Sequence, residues 1–394
     1  MIYDSIKLDG TYAKLSKAIK TELASKNRLP LYLTGVVNGA DTAICSLLSR
    51  EHGPALILAG TEREAARLCS SMNAFGVRAA VFPGREPVLY NIAASRTSEY
   101  ERLKVLCLLK AGELDAVVTV CGDALGYTMP PEILDLSGFT IKTGMQYEPE
   151  ALDNALSMLG YIKTEMVESA GQYARRGGIV DIFPSFSLSG EVHPYRIEFF
   201  GDEIDRLGIF DPDSQRTEEN REELFVSPAR ELLLTDETIA KIRKSVEALK
   251  KKTKNPEAEK TLAGELAAID GKLSIDFADK YITLVYPQKS TLLEHFSDDT
   301  LVIICGKNAT KAQLDAAIWR ERENITSLLE AGTLDSKYAS FMQDGTYLDG
   351  FTDKHVCLYL DSFVSSSGKA QGGLFSLRCR SGIVAANKEH YCRI

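Results

Sequence analysis

The sequence predicts an α/β chain in which a parallel sheet is begun, interrupted by a β-rich insert and then resumed. Three observations predict it. Over residues 1–135, short apolar runs alternate with helical patterns, the signature of βαβ units. From Ile179 to Ile209 the signals are strand-rich, with hairpin turns and little helix. After about Pro228 helices return, and strand and helix patterns alternate again. The expected division is 1–135 for the first part of the parallel-sheet domain, 136–225 for the insert, 226–350 for the second part and 351–394 for the start of a further domain.

The elements follow in order. Leu31–Thr34 is an apolar strand ending in a glycine turn at Gly35, and a helix follows over Thr42–Arg50. Ala55–Ala59 is a second strand. Glu62–Phe75 is a helix with Ala65, Leu68, Cys69 and Met72 at helical spacing. Val77–Phe82 and Ala116–Val120 are strands flanking a helix over Glu99–Lys110. Beyond the insert, Asp236–Lys252 is a helix whose last turn, Lys250-Lys251-Lys252, suits the negative end of the helix dipole. Glu257–Ile269 and Lys311–Asn324 are helices. Tyr281–Val285, Leu301–Cys305 and Val356–Leu360 read as strands.

Composition narrows the function classes. The 394 residues are 44% hydrophobic and 26% charged, which fits a globular chain and argues against disorder or a coiled coil. Lys and Arg number 46 against 55 Asp and Glu, a formal charge of −9 that disfavours DNA binding by bulk charge. The longest apolar runs fall far short of a membrane span, and Met1–Asp9 lacks the apolar region of a secretory signal, so a cytoplasmic chain with no membrane partner is expected. The eight cysteines are scattered without a C-x-x-C pair, which argues against a disulfide framework or zinc site, and no metal ligand set is expected.

Gly35-Val36-Val37-Asn38-Gly39-Ala40-Asp41-Thr42 lies between a buried strand and a helix, where a P-loop belongs. The pattern G-x-x-x-x-G-K-[ST] keeps Gly35 and Thr42, but Ala40 replaces the second glycine and Asp41 the lysine. A carboxylate about 4 Å from a phosphate charge, at an effective dielectric near 20, meets a repulsion of roughly 4 kcal/mol. The strand Leu301–Cys305 ends in Cys305-Gly306, where a Walker-B strand would carry acids that hold Mg²⁺. An ordinary βα turn and a degenerate nucleotide loop both remain open on these windows alone.

Within the insert, Gly171–Pro184 reads as a strand, a kink at Gly177-Gly178 and a second strand. Tyr195–Phe200, the turn Gly201-Asp202 and Glu203–Phe210 form a hairpin with a type II′ turn. Alternation points Tyr195, Ile197 and Phe199 inward, and Arg196, Glu198 and Phe200 outward. A two-residue turn sets Glu198 opposite Asp205, a like-charge pair that a nearby cation would relieve. An outward phenylalanine among arginines reads either as a protein-binding patch or as a charged surface strand with one exposed ring. Arg175 and Arg176 leave a phosphate contact as a third reading.

Tyr173–Pro184, Tyr195–Asp205 and Phe210-Asp211-Pro212-Asp213-Ser214-Gln215-Arg216 closely resemble the UvrB-homology region, in the form found in the bacterial transcription-repair coupling factor family. The resemblance covers about residues 10–350. It implies a degenerate RecA-like (P-loop NTPase-type) domain split by a UvrA-binding insert. It implies UvrA-binding positions at Arg176, Arg196 and Phe200, while Ser169 and Ala170 stand where UvrB has further arginines. The segment Pro83–Ser98 is too short for UvrB's DNA-clamping hairpin. By the same resemblance, this chain carries no cofactor and no catalytic residue. ATP and Mg²⁺ belong to a downstream translocase motor, RNA polymerase and DNA are met outside the chain, and C-terminal domains mask the UvrA surface. The alternative is a UvrB-like ATP-dependent DNA-damage-binding protein; a structural spacer is a third.

Overall fold

Strands buried along their whole length need cover on both faces, and Ala55–Ala59 and Ala116–Val120 are such strands. The computed structural model describes residues 10–36, 39–85, 96–188, 190–271, 275–362 and 373–376. Its principal sheet has seven strands: β1 (Leu31–Thr34), β2 (Ala55–Ala59), β3 (Ala79–Val81), β4 (Ala116–Val120), β13 (Leu301–Cys305), β14 (Val356–Asp361) and β15 (Leu374–Ser376). The order is β15-β1-β14-β13-β2-β4-β3, and every pair is parallel. The sheet is thus completed by strands from both sides of the insert, as an interrupted α/β fold requires.

Alternate residues of β2 feed different cores. Ile57 faces a layer with Leu15 and Ile19 of the helix Gly10–Leu23, Ile44 and Leu48 of the helix Ala40–His52, and Leu68 and Met72 of the helix Glu62–Ala74. Leu56 and Leu58 face a second layer, with Leu103 and Leu106 of the helix Thr97–Lys110 and Ile242 and Val246 of the helix Asp236–Lys252. Burying each such side chain contributes roughly 1.5–3 kcal/mol.

Two expectations are corrected. Tyr281–Val285 is not a strand: a 3₁₀ turn over Asp276–Tyr281 runs into a short α-helix, Ile282–Val285. Tyr281 and Ile282 pack with Phe277, Ile242 and Val246, and a five-residue apolar run reads alike for a strand and a buried helical turn. The described strands within 351–394 join the principal sheet and do not open a further domain. Val356–Asp361 is a strand, as read, but it lies between β1 and β13 inside the principal sheet, and Leu374–Ser376 pairs with β1. A strand that opens a new domain and one that closes an old sheet carry the same apolar pattern.

The insert builds a second sheet, in the order β11-β10-β9-β8-β7-β6. Its strands are β6 (Ile162–Lys163), β7 (Gln172–Arg176), β8 (Ile179–Phe183), β9 (Tyr195–Phe200), β10 (Glu203–Phe210) and β11 (Thr217–Asn220). The β6–β7 pair is parallel and the others antiparallel. One face packs Tyr173, Val180, Ile182, Ile197 and Ile204 against Leu152 and Leu156 of the helix Pro149–Met158. A separate ladder joins β5 (Phe139–Lys142) to β12 (Glu223–Val226), close to where the chain enters and leaves the insert.

The returning segment after β12 is clamped to the base by buried charge. Arg102 and Glu231 are 0% and 1% exposed and pair through Nη2 and Oε1 at 2.9 Å. The Arg102 guanidinium lies 4.1 Å from the Phe82 ring centroid and donates to the Pro83 carbonyl. The Thr128 hydroxyl also donates to Glu231. Next to it, Arg230 pairs with Glu99 and Asp276, and the Glu231 backbone N–H donates to Glu99 at 2.7 Å. Burial pushes the Glu231 carboxyl up, but Arg102 and Arg85 outweigh it and hold the group below the usual range.

A buried ion pair broken on one side leaves an uncompensated charge, at about 3–5 kcal/mol. Arg102→Met is therefore expected to lower urea stability by that amount, and adding Glu231→Leu to recover most of it. A single variant as stable as the parent contradicts the clamp. Because the folded-state pKa of Glu231 is the lower one, its contribution is complete above the unfolded value of about 4.3 and fades as pH falls below it.

Candidate functional site

The docking candidates lie on the face of the second sheet opposite its main core. Arg176 and Ile179 pair directly, so Gly177-Gly178 is a two-residue hairpin turn and not a kink within a run. Phe200 and Glu203 pair in the same way around Gly201-Asp202. Gly177 and Gly201 have φ of 63° and 64°, in the left-handed region that glycine adopts without strain. Directly paired residues share a face, so Arg176, Ile179, Glu198 and Arg206 form one row across the sheet. Asp181 and Arg196 form the next row.

Glu198 does not oppose Asp205. The β9–β10 register shifts between Ile204 and Arg206, which leaves Asp205 without a cross-strand partner and sets Arg206 opposite Glu198. Their closest N–O approach is 3.9 Å, and Arg206 Nε donates to Asn220. The like-charge pair read from a regular ladder is replaced by an opposite-charge pair, because a bulge inserts one residue.

The three residues carried by the resemblance are brought to this face, in different settings. The Phe200 ring is 83% exposed at the hairpin tip. Arg176 is half exposed, with Nη2 2.7 Å from Asp181. Arg196 is only 12% exposed: the loop after β10 covers it, and its guanidinium lies 4.7 Å from the Phe210 ring centroid. Hydrogen bonding to Asp181 raises the Arg196 pKa against the opposing effect of burial. Arg175 faces the other way, towards Asp153 at 3.7 Å, so Arg175 and Arg176 do not form one phosphate-tracking pair. Asp181, Gln215 and Arg206 were missed as site residues. The hairpin register, counted from the two glycine turns, is the signal that would have placed Asp181 opposite Arg196.

At the other candidate site, Gly35 has φ 79° and Gly39 φ 95°, and the helix starts at Ala40. Asp41 Oδ1 accepts the N–H groups of Gly39 at 2.9 Å and Thr42 at 2.7 Å, and Oδ2 pairs with Arg67. Backbone amides that would face a phosphate in a P-loop here face the chain's own carboxylate. Thr42 is buried. Cys305 ends β13, with β14 between it and β1, and Gly306 turns the chain into the helix Lys307–Ala331. No group of three or more His, Cys, Asp or Glu suited to a metal ion occurs among the described residues. Residues 86–95, the centre of the segment judged too short for a DNA-clamping hairpin, lie outside the described residues.

Residues 139–232, the segment bearing this face, match the UvrB interaction domain. Fold and match together define the class: an α/β domain carrying a UvrB-type interaction insert. Two relatives are more particular. The chain is 31% identical over 263 residues to the transcription-repair-coupling factor of Bacillus subtilis, covering 64% of this chain and 22% of that protein. It is 24% identical over 270 residues to the transcription-repair-coupling factor of Staphylococcus aureus, covering 66% of this chain and 22% of that protein. The chain thus spans about a fifth of the length of these relatives.

The turn geometry predicts opposite signs for two glycine replacements. Open space surrounds Gly201 and Gly264, so packing does not decide either one. Gly201→Ala forces an L-residue into the left-handed region and is expected to destabilise by about 1–2 kcal/mol in urea unfolding. Gly264→Ala, inside the helix Pro256–Asp270, is expected to stabilise by up to about 1 kcal/mol. A neutral Gly201→Ala contradicts the assigned turn.

Proposed function

We propose that this chain is a recruiting module that binds UvrA and delivers it to a lesion where RNA polymerase has stalled. The observation that carries the reading is the placement of Phe200. It is a projecting aromatic ring on the same sheet face as two arginines, on a segment that matches a UvrB interaction domain. Exposed aromatic and arginine side chains are the usual anchors of protein interfaces. In this reading Phe200 fills an apolar pocket, and Arg176 and Arg196 face carboxylates. The complete protein is an ATP-dependent translocase in the cytoplasm that reaches polymerase and DNA through regions outside this chain. Its C-terminal domains cover the same surface at rest.

The chain itself performs no catalysis and takes no nucleotide in this reading. Asp41 supports that: its carboxylate already accepts the loop amides and the Arg67 guanidinium. The competing reading, a UvrB-like ATP-dependent DNA-damage-binding protein, is favoured by the positive φ of Gly35 and the retained Thr42. Thermal unfolding with millimolar ATP–Mg²⁺ separates the two. A site with a Kd of 10 μM would stabilise the fold by roughly 2.7 kcal/mol at a hundredfold excess over Kd. No shift is expected, and a shift abolished by Thr42→Ala overturns the recruiting relic in favour of the nucleotidase.

For UvrA itself, Arg176→Ala and Phe200→Ala are each expected to weaken binding to purified UvrA by about 2 kcal/mol, roughly 25-fold, with the unfolding midpoint of Phe200→Ala unchanged. Equal affinity for parent and double variant removes the recruiting reading and favours a spacer.

A further inference from the structure

One carboxylate on the docking face has no place in the contacts proposed above. Asp181 projects from β8 on the outward side, yet it is 1% exposed. Both its oxygens are taken by arginine. Oδ1 accepts Arg196 Nε at 2.7 Å, and Oδ2 accepts Arg196 Nη2 at 2.9 Å and Arg176 Nη2 at 2.7 Å. Gln215 closes the other side: its amide oxygen accepts from Arg176 and Arg196 at 3.1 and 3.2 Å, and its carbonyl accepts Arg196 Nη1 at 2.7 Å.

Gln215 is itself held in an uncommon conformation. Its φ is 60°, in the left-handed region where non-glycine residues are rare. The loop before it is a turn closed by Asp211, whose carboxylate accepts the N–H groups of Asp213 and Ser214. The Gln215 side-chain amide donates to the Pro212 carbonyl. The segment Phe210–Arg216 thus delivers both an aromatic face and a fixed amide to one pair of guanidinium groups. Backbone in a sparsely populated region persists where surrounding contacts over-determine it, and it often marks a functional constraint.

We propose that Asp181 is a positioning residue for the docking face: with Gln215 it holds Arg176 and Arg196 at a set separation on the face that also carries Phe200. The inference deepens the UvrA-recruiting reading and rests on it. Two arginines on the strands flanking β8 would otherwise repel and sample many rotamers. Ordering long side chains is one of the costs of association, and a brace formed before binding removes it. Arg196 makes four hydrogen bonds to these internal partners and is mostly covered, whereas the half-exposed Arg176 meets them through Nη2.

The sign of one substitution separates positioning from bulk charge. If the partner presents carboxylates, charge summation alone predicts that removing Asp181 strengthens binding, because the face becomes more positive by one. A positioning role predicts the reverse.

The experiment measures binding of purified UvrA to the full chain as parent, Asp181→Asn, Arg176→Ala and the pair, with unfolding midpoints taken alongside. Asp181→Asn is expected to weaken UvrA about tenfold. The pair is expected to be far less than multiplicative, since both act on one contact. Unchanged or tighter binding by Asp181→Asn, or a strictly multiplicative pair, overturns the inference. If Asp181→Asn fails to fold, Gln215→Gly, which suits a φ of 60° and leaves the charge unchanged, is expected to weaken UvrA, and unchanged or tighter binding overturns the inference.

A second arm needs no partner. The Arg196 Nε–H signal in NMR is expected to exchange slowly with solvent in the parent and at least tenfold faster in Asp181→Asn. Equal exchange in the two proteins overturns the brace. Phe200→Ala reports separately on the parent reading. If it binds UvrA as the parent does, recruitment through this face fails, and the exchange arm alone decides whether the brace exists.

Discussion

The Arg102–Glu231 pair is the contact on which this architecture hangs. An insert that interrupts a parallel sheet leaves and re-enters its host through neighbouring segments, and both must be fixed for the sheet to close. Here the returning segment places a carboxylate at 1% exposure against an arginine at 0%. A buried pair of this kind is a weak source of net stability, since desolvation offsets most of the attraction. Its force is in what it forbids: any displacement of the insert strands a charge in a dry interior. Arg230, Glu99 and Asp276 repeat the arrangement one step outward. The docking face is therefore presented from a fixed base.

Both candidate sites share one physical theme, arginine and carboxylate satisfied within the chain, with opposite consequences. At the helix start, Asp41 turns inward and accepts the amides of Gly39 and Thr42 and the Arg67 guanidinium. On the insert, Asp181 also turns inward, but the arginines it binds sit at the surface, and a projecting ring shares their face. One acid fills a site from within. The other supports a site that faces out. An acidic chain with a net charge of −9 thus places two arginines where interaction is proposed.

Much of this was legible in the sequence, for physical reasons that differ by element. The buried strands at Ala55–Ala59 and Ala116–Val120 are continuous apolar runs between helical patterns, and nothing competes with that reading. Ile197 inward and Phe200 outward follow from strict alternation. Tyr281–Val285 was illegible because a short apolar run carries no period, and the helices that pack on it are distant in sequence. The place of Val356–Asp361 depends on which strands it joins, a long-range fact. The bulge at Asp205 hides in an ordinary alternating stretch, and it alone decides that Glu198 meets Arg206. Asp181 looked like one more acid in a strand. Its meaning appears only when β8, β9 and the turn carrying Gln215 are brought together.

The central claim is that the chain engages UvrA through the outward face of the insert and not through the loop at Gly35–Thr42. Hydrogen–deuterium exchange of the chain with and without UvrA tests it most directly. The account predicts slowed exchange confined to Arg176–Ile179, Arg196–Asp202 and the turn at Asp211–Gln215, with no change at Ala40–Thr42. Protection centred on Ala40–Thr42, or none on the insert at saturating UvrA, would contradict it.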